Sequence, residues 1–236
     1  HTTPMDVLQM AVSSLGTFYD LEVSPEKVKG KKYDDEYFLN TSAALIGALG
    51  SIVAAWHRIR NGDEPISSKP DCTYAENFLH ILGAEKITPL MTRIMDATLV
   101  LHGEHTINAS TFTAMVTSST LANASQVVAS AIGSLSGPLH GGANEKVIAM
   151  LQKIESKEEI RPWLDETLKA KNVVWGMGHR EYSVKDPRAN ILTDMVQELF
   201  EEREGGVTDI FEKAIELEKA CEEKLSHKGV YPNVDF

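Results

Sequence analysis

The chain has 236 residues, of which 42% are hydrophobic and 24% charged, enough to bury a sizeable core in one large domain or two smaller ones. A formal net charge of −11 argues against general nucleic-acid binding, which needs clustered Lys and Arg, but leaves room for small anions held by a few placed cations. No apolar run approaches the roughly 20 residues that span a bilayer, so no membrane association is expected. No secretory signal pattern opens the sequence. It starts at His1 rather than Met, so an upstream portion is expected to be missing. Cys72 and Cys221 lie far apart without metal-like spacing. They read as idle thiols rather than a disulfide, which fits a cytoplasmic protein.

Apolar spacing is helical nearly throughout, and the predicted fold class is all-α. Met5, Leu8, Val12 and Leu15 form a first stripe, stopped by Gly16. Asn40, Thr41 or Ser42 is expected to cap a helix running to Arg60, with residues 43–56 as a buried apolar stretch. Residues 61–65 break the pattern. Short helices follow over 74–82 and 88–101, with Pro89 suited to a first turn. Residues 110–135 are rich in Ala, Ser and Thr. They read as one buried helix at a subunit contact, with a flexible linker as the alternative. A helix starts near Asn144. Asp186 and Pro187 open an amphipathic helix that Gly205 and Gly206 end. Another runs over about 208–227, stopped by Gly229. At most a short extended piece is expected, around 172–175. The composition shift near Gly141 suggests a boundary between residues 1–141 and 142–236.

Five places carry potential chemistry. His102 and His105 flank Gly103 and Glu104. They could approach a metal if helical, but no third ligand is evident, and local hydrogen bonds are the commoner fate of such residues. His140 sits between Pro138 and the pair Gly141–Gly142 at a turn, where it can be oriented as an acid or donor, or can be structural. Gly176 and Gly178 precede His179. This is no dinucleotide fingerprint, since the third Gly and the strand–helix unit are missing. Arg188 falls in the first turn after Asp186–Pro187. It suits a bound carboxylate or phosphate, or an ion pair with an acidic neighbour. Asp235 stands among bulky apolar residues near the chain end. It is either a base with a raised pKa or a solvated terminal carboxylate.

Taken together, the segments GPLHGGAN, GMGHREYSVKDPR and YPNVDF, in this order and at this spacing, resemble the citrate synthase family. HGEHTINAST and the opening PMDVLQMAVSSLG resemble it as well, so the resemblance covers the whole chain.

That resemblance implies an all-helical fold with a large and a small domain. The site would lie in their cleft, which closes on oxaloacetate. It implies condensation of acetyl-CoA with oxaloacetate and hydrolysis of citryl-CoA to citrate and CoA. His140 would donate to the thioester carbonyl, Asp235 would take the methyl proton, and His179 would polarise the oxaloacetate carbonyl. His105 and Arg188 would bind oxaloacetate. Val173, Val174, Trp175, Gly176, Met177 and Gly178 would lie along the adenine end of CoA, and Lys228 would meet a CoA phosphate. No metal or other cofactor is implied, CoA entering as the substrate thioester. A homodimer or higher homo-oligomer is expected.

The family chain continues past NVDF with further substrate-binding arginines, so this chain is expected to be an internal portion. Two other readings stay open. One is 2-methylcitrate synthase, which uses propionyl-CoA with the same machinery. The other is a non-catalytic scaffold of the same fold.

Overall fold

The computed structural model describes residues 3–19, 35–179, 184–202 and 208–236. Among these there are ten α-helices and no strand, and an isolated antiparallel bridge joins Met177 to Pro232. The all-α class therefore holds. The chain divides into two compact units, His1–Ser136 and Gly137–Phe236, so His140 belongs to the second.

In the first unit, α1 (Pro4–Ser14) opens on a capping box. The Thr3 hydroxyl accepts the Asp6 N–H, and the Asp6 carboxylate accepts the Thr3 N–H. The second helix, α2 (Asp35–Arg60), begins before the expected caps at 40–42. Glu36 in its first turn suits the positive end of the helix dipole, and Thr41 is buried inside the helix instead of ending it. Length and apolarity alone would let Glu36–Arg60 cross a bilayer, a property that core helices of soluble proteins share. The run 43–56, expected to be buried, is only partly so: Leu45 and Ala54 are buried, whereas Ile46 and Val53 are exposed.

Next come α3 (Tyr74–Leu82) and α4 (Pro89–Leu101), capped by Thr73 and Thr88. Residues 110–135 do not form one helix but two, α5 (Ala109–Ser118) and α6 (Ala124–Leu135). The chain breaks where Leu121 takes φ +61° and the Asn123 Oδ1 accepts the Gln126 N–H at 3.0 Å. Only α6 is buried as expected: its Ala129 and Ile132 join Val12 of α1 in a core also lined by Leu8, Leu49 and Ile52. No residue of α5 is buried, and Phe112, Met115 and Val116 are exposed.

In the second unit, α7 (Ala143–Gln152), α8 (Ile160–Lys169) and α10 (Asp209–Leu225) enclose the core, and α9 (Pro187–Glu202) precedes α10. Val147, Leu151, Ile160, Leu164, Leu217 and Cys221 are essentially inaccessible. Burying each larger side chain contributes up to about 1.5–3 kcal/mol. The sequence reading did not anticipate α8, which supplies Ile160 and Leu164. Lys213 is buried beside this core, where its Nζ donates to the Ile154 carbonyl at 2.7 Å and pairs with Asp209 at 2.6 Å. Gly205 and Gly206, the expected end of α9, lie outside the described residues. After α10 a 3₁₀ turn, Ser226–Lys228, ends at Gly229 with φ +69°.

Candidate active site

The second unit holds most of the residues singled out above. Its organising feature is the pairing of 176–178 with 231–233. The Gly178 N–H donates to the Tyr231 carbonyl at 2.7 Å, and the Asn233 N–H donates to the Gly176 carbonyl at 2.9 Å. Gly176 and Gly178 take φ +82° and +86°, a conformation that L side chains rarely adopt. A Cβ on Gly176 would also stand 2.9 Å from the Phe236 Cβ and 3.0 Å from the Val147 Cγ2. The glycine therefore lets the last residues of the chain settle against α7. Asp186 joins the same frame, since its N–H donates to the Pro232 carbonyl at 3.2 Å.

This frame carries His179, which directly follows Gly178 and is exposed. It also carries Asp235, half-buried, whose N–H donates to the Asn233 Oδ1 at 2.9 Å. His140 lies on the turn that leads into α7. Its N–H donates to the Gly137 carbonyl at 2.9 Å, and its carbonyl accepts the Ala143 N–H at 2.9 Å. The same α7 brings Val147 beneath Gly176. Along 173–178, Val174 and Gly176 are buried, Trp175, Met177 and Gly178 half-buried, and Val173 exposed. Lys228 is exposed in the 3₁₀ turn after α10.

Arg188 is tied to Asp186, two residues away. The Oδ1 of Asp186 accepts the Arg188 Nε–H at 3.1 Å, its Oδ2 accepts from Nη2 at 2.7 Å, and Oδ1 also caps the Arg188 backbone N–H at 2.9 Å. Burial alone would push the Asp186 carboxyl up. The hydrogen bonds from Arg188, with the positive charges of Arg188 and His179, outweigh it and hold the group below the usual carboxylate range. Asp186 is the helix cap the sequence suggests, and the ion pair of Arg188 with an acidic neighbour, the alternative reading of the sequence, is present here with the cap itself as the partner. The sequence signal was the x-Asp-Pro-Arg spacing itself, which leaves the Arg side chain able to fold back on the cap.

His105 belongs to the first unit, half-buried after α4, next to Thr106 at φ +57°. The Glu104 carboxylate accepts the Thr106 N–H. The neighbouring His102 uses Nδ1 on the Thr98 carbonyl at 2.7 Å. Among the described residues, no three His, Cys, Asp or Glu side chains cluster as a metal-holding group.

The family model for the citrate synthase C-terminal domain matches residues 1–236, the whole chain. The chain belongs to the citrate synthase family. The citrate synthase of Synechocystis sp. is 45% identical over 233 residues, covering 99% of this chain and 56% of the relative. That of Acidithiobacillus ferridurans is 43% identical, covering 99% of this chain and 60% of the relative. This chain thus spans little more than half the length of the citrate synthases it matches. A citrate synthase of Thermoplasma acidophilum, solved as a ternary complex with carboxymethyl coenzyme A and oxaloacetate, superposes with a TM-score of 0.83 at 27% identity. The match covers 99% of this chain and 59% of that one. The Pyrobaculum aerophilum citrate synthase gives 0.80 at 30% identity, covering 98% and 58%.

Proposed function

We propose that this chain provides the proton chemistry of a citrate synthase, condensing acetyl-CoA with oxaloacetate and hydrolysing the product thioester. The observation that carries the reading is the backbone pairing that ties the His179 segment to the Asp235 segment, in a member of this family. A thioester methyl is a very weak acid. A carboxylate can deprotonate it only if a placed donor stabilises the enolate oxygen as it forms. Asp235 takes the methyl proton and His140 donates to the thioester oxygen. The enolate carbon then attacks the oxaloacetate ketone carbon, while His179 donates to the ketone oxygen. The new C–C bond gives citryl-CoA. Water cleaves its thioester to citrate and the free thiol of CoA, which enters as a substrate thioester and not as a resident cofactor. Arg188 and His105 bind oxaloacetate. Residues 173–178 and Lys228 contact CoA.

Residues 1–141 are read as part of the large domain and 142–236 as most of the small domain; of the compact units, His105 falls in the first and His140, His179, Arg188 and Asp235 in the second. The chain is further proposed to pair with a second copy through α5. No residue of that helix is fully buried in the single chain, and Phe112 is 61% and Val116 53% exposed.

The test is thiol release from acetyl-CoA with oxaloacetate by the intact protein, alongside propionyl-CoA. Release is expected with acetyl-CoA preferred, and with Asp235→Ala and His140→Ala each losing about 10²–10⁴-fold. A higher kcat/KM for propionyl-CoA would move the assignment to 2-methylcitrate synthase. No release from either thioester would leave a scaffold.

A further inference from the structure

Asn233 joins two segments to which the proposed chemistry gives separate roles. Its backbone N–H donates to the Gly176 carbonyl at 2.9 Å, and its side-chain Nδ2 donates to the Gly178 carbonyl at 2.9 Å. Its Oδ1 accepts the Asp235 N–H at 2.9 Å, and its carbonyl accepts the Phe236 N–H at 3.3 Å. One planar carboxamide is therefore bonded through its amino end to the residue before His179, and through its oxygen to the residue that carries the carboxylate. Both ends must be satisfied together, because the amide has no rotation that would let one end move without the other.

We propose that Asn233 is a positioning residue, whose carboxamide sets Asp235 in register with the His179 segment so that base and ketone donor share one rigid frame. The inference rests on the function proposed above. Its chemistry is specific to Asn. Aspartate at this position would keep the acceptor for the Asp235 N–H but present a second oxygen to the Gly178 carbonyl. Serine can accept the N–H two residues on, as hydroxyl turns do, but cannot reach the Gly178 carbonyl in the same way. Alanine would lose both.

The experiment compares wild type with Asn233→Ala, Asn233→Ser and Asn233→Asp in the intact protein. It measures kcat, both KM values and the kinetic isotope effect with methyl-deuterated acetyl-CoA, and it checks folding by circular dichroism. Misplacing a base by about 1 Å costs on the order of 10²-fold. Asn233→Ala is therefore expected to lose about 10² in kcat, with KM values within about 2-fold and a raised isotope effect as proton removal becomes limiting. The Ser and Asp variants should fall between Ala and wild type. They remain informative if the Ala variant fails to fold. A folded variant that keeps full kcat overturns the proposal, as does a loss of rate matched by loss of folded protein with the isotope effect unchanged. A wild type that releases no thiol overturns the functional reading, and this proposal with it. An active wild type beside an unaffected Asn233→Ala overturns this proposal alone.

Discussion

The carboxylate of Asp186 grips the guanidinium of Arg188 at two points while capping the backbone N–H of the same residue. Asp186 is 1% exposed, so the carboxylate has exchanged water for these bonds. The pair fixes the plane of the Arg188 guanidinium.

Asp186→Asn is expected to keep the cap and lose the charge, costing about 1.5–3 kcal/mol, the range for hydrogen bonds to charged groups. The KM for oxaloacetate should rise with it, since the proposed substrate cation loses its orientation. The loss should also depend on pH. The folded pKa is held below the ordinary carboxylate value, so the stabilisation is full above about pH 4 and fades as pH falls through the folded pKa. Urea unfolding of wild type and Asp186→Asn between about pH 2 and 7 should show a constant gap above pH 4 that closes in acid. A gap independent of pH would contradict this.

Gly176 and Gly178 both have positive φ but differ in their surroundings. A Cβ on Gly178 would meet the Val230 Cγ1 at an ordinary 3.7 Å, whereas one on Gly176 would collide with Phe236 and Val147. Gly178→Ala should therefore cost only the backbone strain, about 1–2 kcal/mol. Gly176→Ala should add about 1–3 kcal/mol of overpacking and displace the chain end that carries Asp235. Chemical denaturation of the two variants ranks them, and equal costs would refute the packing argument.

The two thiols should differ sharply in reactivity. Both are free, Cys72 half-buried and Cys221 buried. Burial pushes the Cys221 thiol up to about 12, against a small opposing effect of Lys224, so almost none of it is thiolate at neutral pH. Titration of the native protein with a disulfide reagent should modify one thiol readily, and the second only after unfolding.

If α5 pairs with a second copy, a charge on its exposed face should split the assembly. Met115, 50% exposed on that helix, is the place to put it. Met115→Asp is expected to halve the mass measured by light scattering, and an unchanged mass would place the interface elsewhere.

Much of the helical layout was legible because it depends on local signals. Thr88 with Pro89 and Gly229 marked ends that the structure keeps. The split of 110–135 was hidden because Asn123, the cap that restarts the helix, sits in a run of small polar residues that helices also tolerate. The N-terminal extension of α2 was missed because Asn40, Thr41 and Ser42 favour caps in isolation, whereas burial of Thr41 inside the helix is a tertiary effect. The candidate residues were legible one motif at a time. What no local reading could supply was how they are fixed: Asp235 through Asn233 to Gly178, and Asp186 through its N–H to Pro232.

The bond from Asn233 to Gly178 spans 55 positions of chain. Closing a loop of that size costs entropy before any contact within it is rewarded, and both α9 and α10 lie inside it. A refolding chain is expected to regain its helical signal first and this pairing afterwards. During synthesis, a chain that has not yet reached residue 233 can hold every helix of the second unit and still lack both Asp235 and the residue that fixes it in place.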